Sequence, residues 1–193
     1  SCFKGYTFLN VISMSPSAKI EGTVFSGCCG LKYITISRDA SNLSIEAFSG
    51  CSGLKHISFH PSLRIIGRDA LYKCMRLQRA ILRGSYGAVN GEGTFISGCP
   101  NLDSVIIETT EKFFLPAFSF SNCVNLKTVV CKCNISYIGN SAILDSVMLT
   151  TLDLSNCEIV TGLQGANSLP SDPVDLKILV PAALADEWRK ATN

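Results

Sequence analysis

The sequence has few charged residues and almost no excess of either sign. Lys, Arg, Asp and Glu make up 17% of the 193 residues, and the formal net charge is +2. A strongly basic surface, as in proteins that bind nucleic acid or anionic membranes, is therefore not expected. No apolar run approaches the roughly 18 residues that a membrane-spanning helix needs, so membrane insertion is not expected either. The printed chain shows no signal peptide.

Residues and motifs that commonly carry catalysis are also scarce. His56 and His60 are the only histidines, and a Cys–His pair would need one of them beside a partly exposed cysteine of low pKa. The sequence has no G-x-S-x-G elbow and no metalloprotease helix, and Gly91-x-Gly93 lacks the third glycine of a dinucleotide loop. We interpret the glycine-rich residues 84–98 as a loop. We expect no enzymatic activity, no cofactor and no metal site.

What the sequence does contain is a repeated motif, F-x-x-C-x-x-L-x-x-I-x-I, which is clearest in residues 25–36 and 48–59. Its leucine recurs at intervals of 23, 23, 25, 24 and 23 residues, a period that is typical of a solenoid. With a degenerate first unit, the motif predicts seven repeats. The leucines are Leu31, Leu54, Leu77, Leu102, Leu126 and Leu149.

The pattern within one repeat predicts its elements. The L-x-x-I-x-I segment alternates inward and outward residues, so we expect one short strand per repeat in a parallel sheet on the concave face. The A-F-x-x-C stretch is too short for a full helix, and we expect one turn of α- or 3₁₀-helix on the convex side. We expect one domain over residues 1–193, with a degenerate repeat in 1–24, central repeats in 25–155 and a C-terminal cap in 156–193.

The predicted cap has three parts. Residues 161–175 are polar with Gly and Pro, which is typical of a loop. Residues 176–180 are predicted to form a last edge strand. A short amphipathic helix is predicted from Pro181, because Pro favours the first helical position and Leu184 and Trp188 lie four residues apart. We expect this helix to cover the end of the solenoid.

Ten cysteines are present, and five of them occupy one position of the repeat. This periodicity favours buried, reduced cysteines that act as small apolar side chains. Disulfides remain an alternative, because small secreted proteins often use them. A metal site at Cys131, Cys133 and Cys157 is a second alternative, although the sequence offers no convincing fourth ligand.

Two outward columns of the predicted strands supply candidate partner-binding residues, where a column is one repeat position followed through successive repeats. The first contributes residue types that are frequent in binding hot spots or able to stack, and the second contributes three neighbouring apolar residues. The ordinary explanation stays open, since β-branched residues favour strands and isolated apolar residues are common on surfaces. The candidates are Tyr33, His56, Arg79, Ile81, Ile106 and Val130.

The repeats resemble the BspA-like leucine-rich repeat, whose pattern runs I-G-x-x-A-F-x-x-C-x-x-L-x-x-I-x-I-P. The resemblance covers nearly the whole chain, with swollen repeats at residues 94–98 and 113–118. It implies an α/β leucine-rich repeat solenoid and a secreted or cell-surface bacterial protein, with adhesion to host proteins in some members. The residues that fit include Ala47, Phe48, Cys51, Leu54, Ile57, Pro61, Ile66 and Gly67.

Together, these features predict a non-enzymatic module for protein–protein interaction or adhesion that binds through its concave sheet. The expected partner is a host or bacterial surface protein, and a glycan is less favoured. The alternative is a passive spacer or a self-association domain of a larger surface protein. The sequence identifies neither the ligand nor the oligomeric state.

Overall fold

The computed structural model describes residues 3–14, 20–36, 39–40, 42–63, 65–83, 94, 96–109, 113–157, 169–170, 175–186 and 189. Within these residues the chain forms short strands and almost no helix. The strands are β1 Val11–Ser13, β2 Tyr33–Thr35, β3 Asn42–Leu43, β4 His56–Ser58, β5 Ile65–Ile66, β6 Arg79–Arg83, β7 Ser104–Glu108, β8 Phe113–Leu115, β9 Thr128–Cys131, β10 Ile135–Ile138, β11 Thr151–Asp153 and β12 Lys177–Leu179, and a 3₁₀ turn covers Ala182–Leu184.

The strands of the repeated motif form a parallel sheet, as the sequence predicts. Five of them and the predicted edge strand β12 lie in the order β12-β11-β9-β7-β6-β4, and β1 and β2 form a separate parallel pair. We call the outward side of these strands the concave face, following the curvature predicted for a solenoid. A parallel β-solenoid is therefore confirmed, whereas the count of seven repeats and the domain boundaries stay predictions.

The inward columns build one continuous core. The six leucines of the motif are fully buried, and so are the inward residues of β6, β7, β9 and β11. A single repeat could not bury these side chains, because each covers its neighbour's apolar face. Burial of one such side chain stabilises the fold by about 1.5–3 kcal/mol, which is why the stacked repeats hold together.

The convex side differs from the prediction. Where a helical turn was expected, the described residues form isolated hydrogen-bonded turns, such as those closed by Cys51 N–H to Phe48 O and Leu54 N–H to Cys51 O, both at 3.1 Å. A left-handed residue lies in several of them, for example Gly50 with φ of 72° in the first of these two turns, and such a residue cannot continue a right-handed helix. Two further parallel pairs, β3 with β5 and β8 with β10, lie outside the main sheet.

The strand of the first repeat is shifted by one residue from the register that a constant 23-residue step between repeats predicts. A constant 23-residue step predicts Asn10 and Ile12 as outward residues, but Val11 pairs with Tyr33 and Ile12 with Ile34. Val11 is exposed, whereas Ile12 is half-buried and packs on the core. A slip of one residue exchanges the two faces of a strand, so the decayed motif was not sufficient to set the register.

The C-terminal part agrees with the sequence in its strand. The predicted edge strand forms as β12 and pairs with β11. The 3₁₀ turn after Pro181 is followed by helical Ala185 and Asp186, but Trp188 lies outside the described residues, so the capping helix stays a prediction. Most of the two predicted loops, residues 161–168, 171–174, 84–93 and 95, also lies outside them.

The cysteine column is buried and free, as predicted, and it also forms hydrogen bonds. Each thiol donates to a backbone carbonyl in the preceding repeat, so cysteine is suited to this position by its S–H donor as well as its size. The Sγ–O distances are 3.1 Å for Cys51 to Phe25, 3.3 Å for Cys74 to Phe48, 3.2 Å for Cys99 to Leu71 and 3.3 Å for Cys123 to Ile96. Ser146 continues the column, but its buried Oγ has no partner.

Candidate partner-binding site

The strand register brings three of the predicted apolar residues together. Ile81 pairs with Ile106, and Ile106 pairs with Val130, on three neighbouring strands. Adjacent strands lie about 4.8 Å apart, so these side chains form one unbroken row across the sheet. We call Ile81, Ile106 and Val130 the apolar row.

The apolar row is half-buried, although the sequence predicted solvent-facing side chains. The inward neighbours Ala80, Val105 and Val129 are fully buried, which confirms that the row points away from the core. The row is partly covered because parallel in-register side chains pack against one another along the sheet. The apolar row therefore offers a ligand a shallow apolar surface and not side chains that project into solvent.

The three predicted polar residues lie beside the apolar row, but on two sheets. His56 pairs with Arg79, and both are exposed, while Tyr33 is 63% exposed on β2. Among the described residues 31–36 and 54–60, no backbone hydrogen bond joins β2 to β4. The sheet therefore has a break between Tyr33 and His56.

A groove of about 690 Å³ lies along this break. The exposed part of its lining includes Tyr33, His56 and Arg79, whereas Ile36, Ile57 and Phe59 are buried beneath it. The sequence could not show the break beside the groove, because the residues on both sides of it still fit the motif. It is lined by Tyr33, Ile34, Thr35, Ile36, His56, Ile57, Ser58, Phe59, His60, Pro61, Arg79, Ile81 and Arg83.

A second concavity of about 520 Å³, which we call the polar shelf, adjoins the groove. Its amides are partly committed to structure, since Asn101 Nδ2 donates to Met75 O and Asn125 Nδ2 donates to Pro100 O, both at 2.7 Å. The polar shelf is lined by His56, Gln78, Arg79, Asn101, Asp103, Ser104, Asn125 and Lys127. His56 and Arg79 belong to both concavities and stand between them.

Ion pairs cross the strands at the far end of the groove. Glu108 accepts hydrogen bonds from Arg83 Nε at 2.8 Å and from Lys132 Nζ at 2.9 Å. These hydrogen bonds hold the pKa of Glu108 below its usual value, so the carboxylate stays ionised. The charge of Arg83 is consequently matched within the protein, while Arg79 forms no ion pair with a described carboxylate.

The buried thiols do not suit nucleophilic chemistry. Burial raises the pKa of Cys51 and of Cys133 to about 12, which keeps both thiols protonated at neutral pH. Among the described cysteines only Cys29 is exposed.

Within the described residues, no three His, Cys, Asp or Glu side chains are placed to hold a metal ion. No helix in the described part of the chain is long and apolar enough to cross a membrane.

Fold and site together define a β-solenoid with a groove on its sheet face. The model of the BspA type leucine rich repeat region matches residues 1–90 and 88–163 in six copies, and the chain belongs to this family. Such repeat regions are generally interaction folds without catalysis, and no enzyme family is indicated. The family therefore indicates a protein-interaction module.

Two solved structures are similar to this chain. A leucine-rich repeat protein from Bacteroides ovatus is 18% identical, with a TM-score of 0.44 over 92% of this chain and 70% of that one. A leucine rich cell surface protein from Faecalibacterium prausnitzii A2-165 is 15% identical, with a TM-score of 0.41 over 96% of this chain. The chain spans 63% of the length of the latter. No curated protein matches the sequence.

Proposed function

We propose that the protein is a non-enzymatic module that binds a partner protein through its concave face. The observation that carries this proposal is the continuity of the apolar row with the groove across neighbouring strands. Binding energy commonly comes from a few partly exposed apolar, aromatic and arginine side chains grouped on one surface. Ile81, Arg79, His56 and Tyr33 are such a group.

The biological setting belongs to the same proposal. We place the module on a secreted or cell-surface bacterial protein and give it a role in adhesion to a host or bacterial surface protein. The support is membership of the BspA type family. The proposed domain comprises seven repeats over residues 1–193, closed by a C-terminal helix.

The test places a charge in the apolar row and compares it with the same change elsewhere. The chain is screened against purified host and bacterial surface proteins and against a glycan array. The double substitution Ile81→Asp/Ile106→Asp should weaken binding of a protein partner at least about tenfold, because a carboxylate there must be desolvated on binding. Circular dichroism checks that each variant is folded.

The matched control is Val124→Asp. Val124 is an exposed valine in a turn, outside the sheet and both concavities. Binding by Val124→Asp should stay within about twofold of wild type. Equal binding by the double variant, or equal loss in the control, would remove the concave face as the site. Binding to glycans alone would overturn the protein-partner proposal.

A second candidate function is self-association through the N-terminal end. Phe3, Tyr6 and Val11 are exposed there, and Phe8 is 92% exposed. An exposed apolar end with a free strand edge can pair with another chain. Sedimentation equilibrium of wild type and Val11→Lys separates the candidates: concentration-dependent assembly that the substitution abolishes favours self-association, and a monomer at all concentrations excludes it.

A further inference from the structure

We propose that the groove binds an acidic, extended peptide segment of the partner protein, and that Arg79 is the main contact for its carboxylates. This inference rests on the proposed function and adds the chemistry of the partner. Three observations carry it: the distribution of charge on the concave face, the state of Arg79, and the side chains that line the groove.

Charge is segregated along the concave face. Residues 31–36, 54–61 and 77–83 supply every residue that lines the groove, and they contain Lys32, Lys55, Arg79 and Arg83 but no Asp or Glu. The remaining strands of the sheet carry or adjoin charges of both signs, with Glu108, Asp153 and Lys177 on the strands and Asp103, Lys127 and Lys132 beside them. A surface of one sign attracts a partner of the opposite sign and rejects one of like sign. The near-neutral composition of the whole chain hides this local excess.

Arg79 is the cation best placed to hold a partner carboxylate. Its side chain is exposed between the groove and the polar shelf, and no described carboxylate forms an ion pair with it. Arg83, by contrast, is bound to Glu108 at 2.8 Å. A guanidinium forms two parallel hydrogen bonds with a carboxylate, which gives both strength and orientation.

The lining of the groove favours a peptide over a sugar. Ile81 is half-buried and faces outward, so it offers an apolar contact for a peptide side chain, and Tyr33 adds an exposed aromatic ring. β2 and β4 share no backbone hydrogen bond, but their Cα atoms come within 8 Å of each other, so an extended peptide would lie over the break and not between the two strands. The amides that would suit sugar hydroxyls lie on the polar shelf, where Asn101 and Asn125 already donate to backbone carbonyls.

The structure offers a matched control for Arg79. The column of Arg79 runs through Ser104, Thr128 and Thr151 to Lys177 on β12. Lys177 is exposed and lies four strands away, a distance of about 19 Å at the usual strand spacing. That distance exceeds the roughly 8 Å over which charges act at physiological salt. Lys177→Glu therefore makes the same change of charge in the same column, outside the groove.

The experiment selects a displayed library of random peptides on the 193-residue chain and then measures affinities of selected peptides. Wild type should enrich peptides rich in Asp and Glu. Arg79→Glu should weaken binding of a selected peptide at least about tenfold, and Lys177→Glu should leave it within about twofold. Raising the salt concentration should weaken binding to wild type. Thermal unfolding confirms that both variants are folded.

Each other outcome overturns the inference. Enrichment of neutral or basic peptides, no enrichment, or equal losses in Arg79→Glu and Lys177→Glu would remove the acidic peptide as ligand. If no peptide binds but a sulfated glycan does, and Arg79→Glu abolishes that binding, the ligand is a polyanionic sugar instead. If a protein partner is lost in Ile81→Asp/Ile106→Asp but is indifferent to Arg79→Glu, the concave-face function stands and only the acidic partner fails.

Discussion

The strands of the central section, residues 65–157, pair more extensively than those of the N-terminal section, residues 3–63. β6 pairs with β7 over five residues and β7 with β9 over four. β1 pairs with β2 over three residues, and β2 has no hydrogen-bonded partner on the side of β4. The groove lies where the pairing is weakest.

The turns that precede the strands also differ between the two sections. In the N-terminal section Gly30 and Gly53 bring the backbones of neighbouring repeats so close that a Cβ on either residue would strike a carbonyl oxygen. In the central section, Asn101 and Asn125 occupy the same position and donate to the preceding repeat. Repeats with one motif thus use two ways of joining, by close backbone contact or by a side-chain ladder.

The two sections therefore differ in role: the central section supports the fold, and the N-terminal section contributes to binding. A region with fewer backbone hydrogen bonds opens at a lower free-energy cost than a continuously paired one. The central section supplies a continuously paired platform with the apolar row and Arg79, and the N-terminal section supplies the exposed Tyr33 and His56 on the other side of the groove. The following predictions would break or sharpen this division.

Alkaline pH should produce the largest effect, and it acts on buried thiols in both sections. Burial raises the pKa of Cys51 and Cys133 to about 12 and that of Cys131 well above the ordinary 9.0. Their stabilising contribution is complete below about pH 9 and is lost as the pH rises toward about pH 12, because only the unfolded chain ionises readily. Each such thiol then lowers the free energy of unfolding by up to about 1.4 kcal/mol per pH unit.

Denaturant unfolding at about pH 8 and about pH 11 measures this loss. Cys131→Val removes one buried thiol with little change of shape, so its stability should depend less steeply on alkaline pH. A variant with the same pH dependence as wild type would contradict the assignment to the buried thiols.

Substitution of a close-contact glycine should have the next largest effect. The Cβ of Gly53→Ala would lie 2.9 Å from the Leu31 carbonyl oxygen and closer still to that of Cys29, so the two repeats must separate at a cost of about 2–3 kcal/mol. Asn101→Ala, at the same position in the central section, should cost only about 1 kcal/mol for its hydrogen bond. Equal costs in urea unfolding would show that the two sections are joined alike.

The smallest effect concerns Ser146, which continues the cysteine column of the central repeats. Ser146→Cys should stabilise the protein by about 1 kcal/mol, because a longer thiol can reach the Phe120 carbonyl and removes a buried hydroxyl without a partner. The reverse change, Cys123→Ser, should destabilise by a similar amount. Thermal unfolding of both variants compares them, and a loss of stability in Ser146→Cys would contradict the role assigned to the thiol.

The sequence predicts those features that depend on side-chain periodicity. The inward column of Val105 and Val129, the outward column of Ile106 and Val130, and the parallel order of strands all follow from alternation within a fixed repeat. The buried cysteine column follows from the same period. These features are local and recur, so each repeat reinforces the prediction made from its neighbours.

Features that depend on the backbone could not be predicted in this way. The break between β2 and β4 consists of missing hydrogen bonds between residues that still fit the motif, and the groove lies beside it. The register of Val11 depends on a repeat that is one residue shorter than the alignment assumed. Arg79 was found as a candidate by its type and position, but its lack of a described ion partner required the side-chain positions.

Hydrogen exchange with and without a selected acidic peptide is the most direct test of the central claim that the concave face binds through its loosely paired N-terminal strands. The account predicts new protection of amides in Tyr33–Thr35 and His56–Ser58, with no change in Thr151–Asp153. Protection confined to Phe113–Leu115 and Ile135–Ile138, which lie outside the main sheet, would contradict it.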